Sequence, residues 1–339
     1  MPTDLDRRLA AVLRDHAGAP IDPEPLVIRA RHRGRRLRRR RRAALGTSLA
    51  AVALLALAVI PGMTRPAGTL QPPAAPDRPG AQQRPDLVGT DPGTLHFTAD
   101  GVLPGADRAT WAAGRGVETV ALRSPDGQAR FALTRSAAAL DALPQTLASA
   151  GTPTPPAATD LGGTPATAWS DPAPGGGPPV QFLRWQPTPG LWAQLDISAP
   201  ATTDALAAAA RLRFDGARRC AVPFSLTSLP KAASVQQCSI TLQTGASPPF
   251  TEAAVIVGDP AGRWLTVRAQ PAPGSPDGPL EAGPHRVRRQ GSDVLQAHIA
   301  PCQVELFLDG WGEGFTEPEA LTVLSGYVPA PYPDDPTTW

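Results

Sequence analysis

The feature that most constrains this chain is a block of arginines followed by an uncharged apolar run. Arg35-Arg36-Leu37 leads into Arg38, Arg39, Arg40, Arg41 and Arg42, after which Ala43 to Ile60 carries no charge. As a helix rising about 1.5 Å per residue, that run reaches roughly 27 Å, close to the hydrocarbon thickness of a bilayer. Its five leucines, two valines and Ile60 favour insertion by about 4 kcal/mol in sum, opposed by Gly46, Thr47 and Ser48. Basic flanks resist translocation, so the arginine block is expected to hold the N-terminus in the cytoplasm. A cleaved signal peptide is the competing reading, and Ala56-Leu57-Ala58 offers an A-x-A site. Its basic region would however be 42 residues long, far beyond what such signals carry. The expectation is a single-pass protein: a basic cytoplasmic segment at 1–42, a transmembrane helix at 43–60, and everything beyond it outside.

Charge divides along the same line. Residues 1–42 hold 13 arginines and five acidic groups, a net of +8, so the remainder carries −6 of the overall +2. A basic tail beside a bilayer suits anionic headgroups. Nucleic acid is not expected as a partner, because residues 1–42 contain no Phe, Trp or Tyr for stacking. One lysine stands against 31 arginines and asparagine is absent, which removes N-glycosylation. The three cysteines, Cys220, Cys238 and Cys302, all lie beyond the span, where the compartment permits disulfides. Cys220 and Cys238 are the pair expected to be bonded, with pairings through Cys302 as alternatives, and an odd count leaves one thiol over.

In the tail, Leu5, Leu9, Val12 and Leu13 form one stripe of a short amphipathic helix that wants a partner protein or the membrane surface. From Pro61 to Thr94, eight prolines and five glycines suggest a tether with little to bury. Two outer lobes are expected, 95–215 and 216–339, in an α+β and mainly antiparallel fold. Val117–Leu122 and Ala129–Thr134 read as a hairpin across Ser124-Pro125-Asp126-Gly127. A short helix is expected in Ser136–Ala150 and strands at Thr164–Trp169, Val180–Trp185 and Leu191–Ile197. Thr203-Asp204 should cap an alanine-rich helix. Beyond Cys220 the pattern restarts, with strands near Val222–Thr227, Val235–Leu242, Ala253–Val257, Trp264–Ala269, Arg286–Arg289, Val294–Ile299 and Val304–Leu308. Thr316 and Glu319 then form a capping box, and Tyr327 to Trp339 should lie extended on the surface. Gly190-Leu191-Trp192 against Gly262-Arg263-Trp264 is a local match that suggests a repeat over roughly 115–215 and 220–328.

The candidate chemical motifs read as structural. Ser228-Leu229-Pro230-Lys231 has S-x-x-K spacing, but Pro230 disfavours the helix such a serine needs to open. His285, His298 and Cys302 lack the convergent ligands of a metal site. Carboxylates such as Asp309, Glu313, Glu317 and Asp334-Asp335 are scattered around turns, where they are expected to be solvated. Trp169, Trp185, Trp192 and Trp264 are expected mainly in the core. No catalytic, cofactor or metal residues are assigned, and no enzymatic activity is expected.

Several short segments carry a resemblance: Leu5-Asp6-Arg7-Arg8-Leu9, the arginine block with its span, Gly163-Thr164-Pro165-Ala166, Arg184-Trp185, Gly190-Leu191-Trp192 and Asp204-Ala205-Leu206. In layout the chain resembles anti-sigma-factor-like single-pass membrane proteins of high-GC bacteria. Its outer part looks like the half-barrel modules of lipoprotein-carrier and sigma-regulator sensors. The resemblance implies an envelope ligand outside and a cytoplasmic regulatory partner, a sigma factor, at the tail. It departs from the zinc-type members, because His16 and His32 have no cysteine near them. Two function classes follow: envelope sensing with signal transduction, or an anchored extracytoplasmic binding or structural module with no signalling role.

Overall fold

The computed structural model describes residues 70–143, 152–173, 177–199, 204–272, 274, 278–308, 314–333 and 335–339. The expected span at 43–60, the amphipathic stripe and Arg38 to Arg42 lie outside them. Within them no helix is long and apolar enough to cross a membrane.

Two runs of elements follow one another. The first comprises β1 (Thr94–Leu95), β2 (Arg108–Gly114), β3 (Val117–Arg123), β4 (Gln128–Thr134), α1 (Ala137–Asp141), β5 (Ala157–Leu161), β6 (Thr164–Asp171), β7 (Val180–Trp185), β8 (Trp192–Ser198), α2 (Ala205–Ala209) and β9 (Arg218–Arg219). The second comprises β10 (Phe224–Leu226), β11 (Ser234–Gln243), β12 (Phe250–Gly258), β13 (Trp264–Pro271), β14 (Leu280–Ala282), β15 (His285–Gln290), β16 (Val294–Ile299), β17 (Cys302–Leu308), α3 (Glu317–Ser325) and β18 (Tyr327–Pro329). The fold is mainly antiparallel sheet with a few short helices, as the sequence suggested.

Fourteen strands form one sheet. Outward from its middle, the first run is ordered β2-β3-β4-β8-β7-β6-β5 and the second β11-β12-β13-β17-β16-β15-β14. The two orders are the same. The halves join where β2 pairs antiparallel with β11, Trp111 standing opposite Ile240. In each half the strand before the sheet pairs with the one after the helix, β1 with β9 and β10 with β18. The resulting pseudo-twofold passes beside Trp111 and Ile240. The Gly-x-Trp match does not follow this symmetry, since Trp192 opens the seventh sheet strand of one half and Trp264 the third of the other. That local similarity is a coincidence of turn chemistry.

Local sequence explains the elements. Arg115 and Gly116 both take positive φ, 54° and 81°, the backbone a tight two-residue hairpin requires between β2 and β3. Asp204 accepts from the Leu206 amide at the start of α2. Thr316 and Glu319 form the expected capping box. Alternation puts one face of the sheet inward. There Phe97 lies 4.8 Å from Phe131 and 5.6 Å from Trp111, ring centroid to centroid.

The tether expected over Pro61–Thr94 is, from Leu70 onward, part of the folded body. Ala75, Ala81 and Val88 are buried. The Ala81 amide donates to His96 O at 2.9 Å, and Trp111 Nε1 donates to Leu70 O at 2.8 Å. Prolines and glycines can pack once neighbouring groups satisfy their backbone. The buried Glu118 carboxylate fastens this segment by accepting from the Gly89 amide at 2.9 Å and the His96 amide at 2.6 Å, and its Oε1 lies 2.6 Å from His96 Nδ1. The C-terminal stretch also differs from expectation. Tyr327 is buried in β18, and Trp339 meets Phe250 edge to face at 5.5 Å.

Candidate functional site

The face of the sheet opposite the core is polar, and it is organised in transverse rows of cross-strand neighbours. One row runs Thr110, Ala121, Arg130, Asp196 across β2, β3, β4 and β8. Its counterpart in the second half runs Ser239, Ala254, Arg268, Glu305 across β11, β12, β13 and β17. Hydroxyl, alanine, arginine and acid thus recur in the same order. Beside the acids, Gln194 Nε2 donates to Asp196 Oδ1 at 2.7 Å and Gln303 Nε2 to Glu305 Oε1 at 2.8 Å.

In the second half the row is closed. Arg268 is bonded to Glu305, whose other oxygen accepts from Gln296 at 3.1 Å. These partners hold Glu305 below the usual carboxylate range despite burial, which pushes the other way. In the first half Arg130 stands directly opposite Asp196. Arg184 reaches Gln194 Oε1 at 2.7 Å and Asp141 at 2.9 Å. Asp196 is raised above its ordinary value, chiefly by burial, against the Gln194 bond and the Arg130 and Arg184 charges.

Next to the first row stands a pair the second half does not repeat. Arg108 and Arg123 are direct cross-strand partners on β2 and β3, with Arg130 on the diagonal. The matching pair on β11 and β12 is Gln237 and Ile256. These arginines rim a cleft of about 510 Å³ that crosses the seam to Thr241, Thr251, Glu252 and Gln270. Arg108 donates to Thr251 Oγ1 at 3.1 Å, while its buried Nε has no partner among the described residues. Glu252 lies 4.0 Å from Arg268 and accepts from Gln270 at 3.2 Å. Thr110 and Thr241 share a hydrogen bond of 3.0 Å across the seam.

Two smaller apolar clefts occur on the other face. One of about 260 Å³ lies between Trp185, Leu191, Leu212 and Phe214, and one of about 200 Å³ lies beside the disulfide.

Of the residues singled out in the sequence, Cys220 and Cys238 are bonded, with Cα atoms 6.0 Å apart. Cys302 is free and buried, its thiol pushed up to about 11 by burial. His298 faces the polar side opposite Gln303 while Cys302 faces the core, so the two do not converge. Trp185 is a core residue, but Trp169, Trp192 and Trp264 are half-buried on the polar side. Trp169 stacks flat on Phe182 at 5.1 Å with Arg184 5.7 Å from its ring. Ser228 and Lys231 lie in the loop before β11, without a helix between them.

Arg108 was not singled out, because β2 itself did not read as a strand. The alternation of Arg108, Thr110 and Ala112 against Ala109, Trp111 and Ala113 was the available signal. No family model matches the chain, and no curated protein or solved structure matches it.

Proposed function

We propose that the chain is a membrane-anchored, cytoplasm-in protein whose outer body binds an envelope ligand and whose basic tail relays that state to a cytoplasmic regulator. The observation that supports a binding role is the open cleft at the sheet seam, rimmed by the directly opposed Arg108 and Arg123. Structural charges gather opposite partners, as Arg268 and Glu305 do; directly opposed like charges cost stability, and sites that keep them are often binding sites. The arginine block and apolar run support the anchor. The resemblance to anti-sigma-like proteins supports a sigma factor as the regulator. The matching rows of the two halves support reading them as related lobes, joined in one sheet.

The test replaces residues 2–34 of the full-length chain with an unrelated sequence of equal net charge, keeping the arginine block and span. Photo-crosslinking from tail positions in native membranes is expected to capture one regulatory protein with the natural tail and none with the replacement. A replacement tail that preserves every cellular phenotype would leave an anchored binding module with no signalling role.

A further inference from the structure

We propose that the seam cleft takes a small solute carrying a phosphate or carboxylate on a hydroxylated body, the oxyanion held between Arg108 and Arg123. This rests on the binding role above and gives that site its ligand chemistry.

Four observations carry it. Arg108 and Arg123 stand directly opposite one another on adjacent strands, and neither forms an ion pair among the described residues. An oxyanion between two guanidinium groups converts that repulsion into paired, charge-assisted hydrogen bonds. The Arg108 Nε is buried and unpartnered, a donor that an anion would satisfy. The scaffold does not require either arginine, because the other half builds the same strands with Gln237 and Ile256 in their places. Finally, about 510 Å³ is the size of a small-molecule site rather than of a bare ion. Thr110 and Thr241 border the remaining space with hydroxyls, and Gln128 and Gln270 with amides, groups suited to sugar or glycerol hydroxyls. Glu252 closes one edge and would repel a second anionic group placed there.

Calorimetric titration of the full-length chain in detergent micelles tests this with glucose 6-phosphate, glucuronate, inorganic phosphate and glucose. At least one of the first two is expected to bind ten-fold or more tightly than inorganic phosphate, with glucose not bound and affinity falling as salt rises. The double variant Arg108→Gln, Arg123→Ile installs the residues of the other half. It is expected to melt no lower than the natural chain and to lose affinity at least ten-fold. Arg286→Gln, on an exposed residue remote from the cleft, should bind normally. The proposal is overturned if neither sugar anion outbinds phosphate, or if the folded double variant binds as before. Phosphatidylglycerol nanodiscs that displace the probe, where phosphatidylcholine nanodiscs do not, would assign the anion to a lipid headgroup; failure of both to displace it would assign it to a soluble solute. Tail crosslinking is read separately, so loss of anion binding leaves the signalling arm standing or falling by itself.

Discussion

At the scale of single residues, the polar face holds, among the described residues, a carboxyl whose environment works against its charge. Asp196 is buried, and desolvation raises its folded pKa above the ordinary 3.8 despite Gln194, Arg130 and Arg184 nearby. The folded state therefore binds more protons than the unfolded state just above that value, so this group's contribution to stability falls as pH rises through that window. Asp196→Asn keeps an acceptor for Gln194 and removes the charge. It should melt higher than the natural chain at pH 7, and the gap should close as the pH is lowered toward 4. A gap that is constant with pH would show that ionisation of Asp196 is not its cause. Residues of this kind were not legible beforehand, because burial of Asp196 depends on cross-strand neighbours distant in sequence. Cys220 and Cys238 were legible, since two adjoining strand candidates narrow the choice of partner. The free thiol then follows by elimination as Cys302.

At the scale of elements, segments with local signals were read well. The hairpin around Ser124 to Gly127, the strand Val294–Ile299 and the Thr316 capping box all fall where propensity, turn residues and alternation agree. Elements whose reasons lie elsewhere were missed. β2 is rich in small residues and earns its place by pairing with both β3 and β11. Residues 70–94 look like a linker in composition, yet their amides are answered by His96, Glu118 and Ala217, and their carbonyls by Trp111, Gly116, Arg219 and Cys220. The connection between the halves is fixed by the disulfide, which joins the chain just after β9 to β11 across a separation of 18 residues. Closing a loop of that length stabilises by about 3 kcal/mol. The Cys220→Ser, Cys238→Ser variant should therefore unfold at a clearly lower urea concentration with an unchanged slope. An unshifted midpoint would mean that neighbouring strands already hold the connection.

For the molecule as a whole, the sheet is continuous through the seam rather than divided between two separately folded lobes. Seven residue pairs link β2 and β11, and the core beneath them runs without a break from Phe97 to Leu324. The folded body should accordingly melt in one transition, with calorimetric and van't Hoff enthalpies equal. Two resolved transitions would show that each half keeps its own cooperative unit. The sequence suggested a pattern that recurs in two runs. Sequence similarity suggested it at one tryptophan turn, whereas the recurrence lies in strand order and in rows of side chains that no linear comparison aligns.

That seam has one more consequence. Since β2 and β11 hold the same place in their respective halves, either half excised alone would expose a bare ribbon of unpaired amides and carbonyls. The surface already cut to cover that ribbon is its own twin, so a lone half should seek out another and rebuild the full span from two identical pieces.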